Sequence, residues 1–370
     1  MRRYILTLFA VLVSMTMMAG EVSEQKALEI AQKFLQGKTF QQKSLRRAPT
    51  IGDNQFYVFN AAEQGGFVIV SADDRTIPVL GYADKGSLEM DKLPENVRYW
   101  LEGYAREIKA LGADVQASTK SRRSIGTPIA PLLTSQWDQN APYNLQCPMD
   151  GASRSVTGCV ATAMAQLMYY HKYPNFTVKA IGSYKTDSKR IIVPSLPGTT
   201  FKWSAMRNEY KATDTDAGAD AVAELMRYCG QAVEMDYTAG ESGASVSASH
   251  FTQSFNYSKA AKDVSRSNYA SYSWELLMYN ELKNNRPVMY SGQSGSGGHE
   301  FLLDGYDDKG LFHVNWGCGG YADGYFSLSL LNPNGRGIGG GTSSNGYTML
   351  QSAIIGLKAP DATEDAQSGS

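Results

Sequence analysis

Apolar positions in the first hundred residues repeat with two different periods. In residues 23–36 (SEQKALEIAQKFLQ), Ala27, Ile30, Ala31 and Phe34 share one helical face, with Ser23 placed to cap it and Gly37 to stop it. The runs 56–60, 67–72 and 79–82 are rich in aromatic and β-branched residues and are separated by Gly and Asp, which predicts a small antiparallel sheet. From Pro94 the helical period returns: Val97, Trp100, Leu101, Tyr104, Ile108 and Leu111 form one stripe, and Gly112 ends it. These segments predict a small α+β unit with no cluster of catalytic side chains.

Periodicity then lapses. Residues 113–126 (ADVQASTKSRRSIG) collect small, polar and basic side chains, the composition of an exposed segment open to proteolysis. An ordinary interdomain linker has the same composition; the sharper reading is an activation cleavage around Lys120 to Arg123. Beyond it the pattern predicts helices over 157–171, 219–229 and 274–282, then strands over 287–290, 300–306, 311–316 and 325–330. Helices first and an antiparallel sheet last give an α+β fold rather than a wound parallel sheet. Residues 335–346 are too rich in glycine for a strand, and 360–370 read as a disordered tail.

Arg2 and Arg3 precede an apolar run from Tyr4 to Met18 that closes on Ala19 and Gly20, the pattern of a secretory signal peptide. No other segment reaches the roughly 20 apolar residues of a spanning helix. The chain of 370 residues carries 35 Lys and Arg against 36 Asp and Glu, a balance that lowers nucleic acid and anionic membrane as partners. An exported, soluble protein is expected, secreted to the periplasm or beyond. Its four cysteines, at 147, 159, 229 and 318, are too sparse for a disulfide framework, and their pairing is left open. Four histidines, at 171, 250, 299 and 313, show no zinc spacing, so no metal or organic cofactor is expected.

Chemistry concentrates in three segments. In VTGCVATAMAQLMYYH (156–171) Thr157 can cap, Gly158 permits close approach, and Cys159 falls in the first turn of a helix, where the positive helix end favours a thiolate. A Cys there is also a common core filler. In SGQSGSGGHEFLLDGY (291–306) His299 follows glycines and precedes an apolar strand, a presentation that suits a base in a cleft. Cys first and His 140 residues later is the order of papain-like peptidases. In HVNWGCGGYADGYF (313–326) Asn315 and Trp316 are candidates to orient that base, although both can be structural.

The segments TGCVATAMAQ, GGHEFLLDGYD, FHVNWGCGGYADGYF and NGYTMLQSAIIGL resemble, in order, the streptopain family of cysteine peptidases. FVIVSADDRTIPVLGY resembles the inhibitory prodomain of the family's zymogens. The resemblance implies a papain-like fold, with signal peptide at 1–20, inhibitory prodomain at 21–112, activation linker at 113–126 and peptidase at 127–359. It implies Cys159 as nucleophile, His299 as proton acceptor and Trp316 packed against that histidine. Gly298 and the stretch Ser242, Gly243 and Ala244 would meet substrate, with a bulky hydrophobic side chain favoured at the second position before the scissile bond. Protein and peptide substrates and the chain's own prodomain are the implied partners. Three positions depart from the family: Cys318 stands where NWGWGG has tryptophan, Ser153 stands where a glutamine precedes the nucleophile, and Ser291 replaces another glutamine. The oxyanion side chain is thereby unassigned, with Gln293 a candidate. Two other classes stay open on the residues alone: another Cys-His acyl transferase, and a secreted binding protein with an inert Cys159.

Overall fold

The computed structural model describes residues 20–35, 45–48, 54–111, 124–294, 297–330 and 350–361. The segment expected as a signal peptide, apart from Gly20, most of the expected linker, the glycine-rich stretch 335–346 and the expected tail from 362 lie outside these residues.

The first unit comprises α1 (Glu24–Phe34), β1 (Leu45–Arg47), β2 (Phe56–Ala61), β3 (Phe67–Ser71), β4 (Val79–Ala83) and α2 (Glu95–Lys109). Ser23 caps α1 by accepting from the Lys26 amide, as its position predicts. Val97, Trp100, Leu101, Tyr104 and Ile108, the stripe of α2, are all essentially inaccessible. Burying each such side chain is worth about 1.5–3 kcal/mol, far more than helix propensity supplies. Alternation along β2 and β3 sends Tyr57, Phe59, Val68 and Val70 to α1, and Phe56, Val58, Phe67 and Ile69 to α2.

The second unit adds two short hairpins, β5 (Met149–Asp150) with β6 (Ser153–Arg154) and β7 (Tyr184–Lys185) with β8 (Ile192–Val193). Its helices are α3 (Cys159–His171), α4 (Ala217–Ala232), α5 (Ala248–Ser254) and α6 (Ser271–Lys283). Its main strands are β9 (Lys262–Ser265), β10 (Val288–Ser294), β11 (Gly297–Tyr306), β12 (Phe312–Asn315), β13 (Gly324–Phe326) and β14 (Leu350–Ile355). α3 is buried on all sides from Val160 to Tyr169, with only Thr162 and Gln166 polar among its mostly apolar residues, and runs through the core between α4 and the sheet.

Sequence reasoning expected two separate sheets, and the structure joins them. All ten long strands form one antiparallel sheet in the order β1-β2-β3-β4-β13-β12-β11-β10-β14-β9. The units meet where Tyr82 and Gly81 of β4 pair with Tyr325 and Phe326 of β13. No sequence period encodes so short a seam. One face of the joint sheet is a single core in which α2 residues pack with Tyr290, Phe301, Leu303, Val314, Trp316 and Phe326. The other face of the second unit packs Met289, Leu302 and Ile354 against α3 and α4.

Candidate active site

Gly158 holds the start of α3. Its φ of +84° suits glycine, and a Cβ there would stand 2.7 Å from the Ser242 carbonyl oxygen. Thr157, expected as the cap, instead bonds Thr162 Oγ1 at 2.8 Å, and Gly158 occupies the cap position without a side chain. Cys159 is thus the first helical residue and half-buried. The loop that presses on Gly158 is tied down by Ser242, whose hydroxyl donates to the Val156 carbonyl at 2.8 Å and accepts from the Thr238 amide at 3.0 Å.

A cleft of about 450 Å³ opens over this start of α3. Cys159, His299, Gly298, Ser242, Gly243, Ala244 and Cys318 all line it, so seven of the nine residues singled out by sequence converge. A Cβ on Gly243 would meet nothing within 4 Å, which leaves that backbone open to a ligand. His299 sits on β11 opposite Gly292 of β10, with no side chain across the ladder to hinder it.

The other two residues lie behind the cleft. Asn315 Oδ1 accepts from Gln166 Nε2 at 2.9 Å, and its Nδ2 donates to the Ser135 carbonyl at 2.9 Å. Trp316 is fully buried, with its ring 4.7 Å from Phe301 and 6.2 Å from Trp100. Neither is the partner of His299 in this form. The His299 ring instead faces Tyr99 of α2, with centroids 5.3 Å apart.

The first unit therefore reaches into the site. Pro94, Glu95 and Asn96, at the start of α2, line the same cleft as Cys159. Asn96 is buried, donates to the Trp316 carbonyl, and accepts from the Cys318 thiol at 3.4 Å. Trp100 enters the core beneath, 5.4 Å from Phe301 and 6.3 Å from Tyr290.

Electrostatics match a silent site. Burial pushes the Cys159 thiol up to about 11, against the amides of Glu300, Val160 and Cys159 itself, which favour the thiolate. Burial also lowers His299, although Glu95 and Glu241 pull it up. Among the described residues no hydrogen bond joins Cys159 to His299, and a thiol held near 11 keeps its proton at neutral pH, which disfavours the ion pair in this form.

The two serines that stand where the family has glutamine do not enter the cleft lining: Ser153 is exposed on β6, and the Ser291 hydroxyl bonds Ser352 at 2.6 Å. The Gln293 side chain lies outside the described residues. Sequence reasoning missed Gln139, which lines the cleft and whose carbonyl accepts from the Thr157 amide at 3.0 Å. A glutamine was sought at a fixed spacing from Cys159, whereas a backbone bond from a distant loop brings this one in. All four cysteines are free thiols, and no group of three or more His, Cys, Asp or Glu could hold a metal among the described residues.

Comparison with known proteins bears on both units of the chain. The pattern of the Spi protease inhibitor matches residues 19–108, and that of the peptidase C10 family residues 137–326. Streptopain of Streptococcus pyogenes is 33% identical over 331 residues, which cover 83% of this chain and 82% of that protein. The thiol protease/hemagglutinin PrtT of Porphyromonas gingivalis is 34% identical over 97% of this chain, which spans only 44% of that relative's length. A cysteine-to-alanine fragment of Prevotella intermedia prointerpain A superposes with a TM-score of 0.73 at 30% identity, covering 85% of this chain and 99% of that one. Active interpain A superposes with a TM-score of 0.54 at 34% identity, over 63% of this chain and 96% of that one. The chain belongs to the peptidase C10, or streptopain, family: it is the zymogen of a cysteine endopeptidase with a papain-like α+β fold behind an Spi-type inhibitory prodomain.

Proposed function

We propose that Cys159 is the nucleophile and His299 the base and acid of this endopeptidase, with protein and peptide chains as substrates. Support comes from one arrangement: Cys159 and His299 face a common cleft, and the prodomain helix α2 lines that same cleft and packs Tyr99 on the histidine. Once α2 leaves, His299 is free to turn to Cys159, and the helix start and imidazolium together favour the thiolate. The thiolate adds to the peptide carbonyl, and His299 gives its proton to the leaving amine. Water, deprotonated by His299, then cleaves the thioester and returns the thiol.

We assign the oxyanion to the Cys159 amide and the Gln139 side chain, the latter for its place in the cleft wall. Gly298 and Ser242 to Ala244 would hold substrate backbone; Asn315 and Trp316 would support the returned histidine. Cys318 would form a cleft wall smaller than the family's tryptophan. The reading includes export by residues 1–20, inhibition by 21–112, cleavage within 113–126 and a peptidase of 127–359. N-terminal sequencing of processed protein beside the Cys159→Ala precursor tests it. The wild type should yield a new terminus within 113–126, and the variant should stay intact in isolation. Normal self-processing by Cys159→Ala would exclude Cys159 as nucleophile.

A further inference from the structure

The fixed charges of the cleft have one sign. Among the described residues its lining carries Glu95 from α2 and Asp138 and Glu241 from the peptidase unit, with no lysine or arginine. Glu95 leaves with the prodomain, but a further carboxyl, that of Glu300, acts on Cys159 from behind the lining. Glu300 follows His299 on β11, and alternation points it to the opposite side of the strand, the side on which Leu302 packs toward α3. It is 6% exposed and close enough to Cys159 for the two charges to interact. Among the described residues its carboxyl has no hydrogen bond and no ion pair, although its amide meets the Cys159 thiol.

What surrounds Glu300 does not compensate it. Ser291, Ser352 and Ser265 stand at successive register positions across β10, β14 and β9, so the row beside it is polar and uncharged. The sheet charge that acts on it is Asp263, a second carboxylate; burial first and Asp263 after it raise Glu300 to about 8. A buried carboxyl without a donor is costly, and a guanidinium or ammonium group is the partner that would relieve both penalties.

We propose that Glu300 makes this peptidase selective for a lysine or arginine side chain close to the scissile bond, with Glu241 at the exposed rim drawing the cation in. This deepens the Cys159 and His299 reading and rests on it. It also departs from the bulky hydrophobic preference that the family resemblance implies. The chain carries one segment of the required kind where maturation needs a cut: Lys-Ser-Arg-Arg at 120–123.

The test uses processed enzyme made from the full chain, with active sites counted by an epoxide thiol inhibitor. Matched fluorogenic peptides differ at one position among Arg, Lys, Leu and Glu. At one position near the scissile bond, kcat/KM for Arg or Lys should exceed that for Leu by about tenfold or more, and Glu should be worst. Glu300→Gln should cut that ratio by about tenfold or more, mainly through KM for the basic peptide. Should Glu300→Gln not fold, two further measurements decide. Glu241→Gln should lower the ratio by about two- to threefold at low salt, and Lys120→Gln/Arg122→Gln/Arg123→Gln should slow linker cleavage by about tenfold or more. A wild-type preference for Leu at every position overturns the proposal, as does a basic preference that Glu300→Gln leaves intact. Titrated enzyme that cleaves none of the peptides overturns the underlying assignment and the proposal with it, whereas cleavage of Leu peptides without basic preference overturns the proposal alone.

Discussion

Trp100 is the prodomain residue whose loss should open the cleft most. Its ring is 1% exposed, and three of its ring partners, Trp316, Phe301 and Tyr290, belong to the peptidase. The fourth, Tyr104, belongs to α2 itself. Truncating a buried tryptophan to alanine costs roughly 3–5 kcal/mol, and here most of that falls on docking rather than on the prodomain's own fold. Even a third of the upper figure, about 1.7 kcal/mol, multiplies the population of open cleft by more than about tenfold. The assay is the second-order rate at which an epoxide thiol inhibitor labels Cys159 in intact Trp100→Ala precursor. Electrophoresis confirms that no processing occurs in that time, and circular dichroism that the protein is folded. Labelling should rise by about one to three orders of magnitude. An unchanged rate in folded, uncut protein would refute the view that α2 packing keeps the cleft closed.

Three further outcomes follow from the site. With its thiol near 11, the precursor's Cys159 should react with iodoacetamide slowly, at a rate that climbs about tenfold per pH unit between about 6 and 8 as the scarce thiolate grows, whereas processed enzyme should react fast with little pH dependence; equal rates at pH 6 would contradict it. Gln139→Ala in processed enzyme should lower kcat by about 10²- to 10³-fold with little change in KM, and an unaltered kcat would remove Gln139 from the oxyanion site. His313 is lowered by burial but raised on balance by Asp304, 2.5 Å from its Nδ1. A folded value above the unfolded one gives stability that is complete below about pH 6.5 and lost as pH rises through the folded value. The melting temperature should fall over that interval, and His313→Gln should flatten the slope; an identical slope in the variant would dismiss the pair.

Patterned surfaces were legible in the sequence, and junctions were not. The α2 stripe, the strands β2 to β4 and the helical start at Cys159 each repeat an apolar period long enough to read. α5 has seven largely polar residues, and β9 is flanked by charge, so neither shows one. Cys159 and His299 could be paired because each sits at an element boundary with glycine before it. Tyr99 could not be read as their blocker, since it lies off the stripe of Val97, Trp100 and Tyr104, on the flank of α2 that turns toward His299. Gln139 depends on one backbone bond to Thr157, and such a bond leaves no trace in residue spacing.

A prodomain that shares its host's sheet has to be both firmly seated and removable, and the seam's size reconciles the two. β4 and β13 pair at only two register positions, reinforced by the stacked rings of Tyr82 and Tyr325, 5.2 Å apart, and by the Tyr82 hydroxyl donating to Asp307 at 2.9 Å. Backbone bonds are individually worth about 0.5–1.5 kcal/mol, so this ladder aligns the prodomain more than it retains it. Retention falls to α2, whose Trp100 and Asn96 grip the core behind Trp316 and whose Tyr99 holds His299. When α2 departs, the edge left behind on β13 is three residues long, too short to template pairing with another chain. On the proposed assignment of His299, the same helix both locks the zymogen and blocks its histidine, so that unseating α2 would free the peptidase in one step.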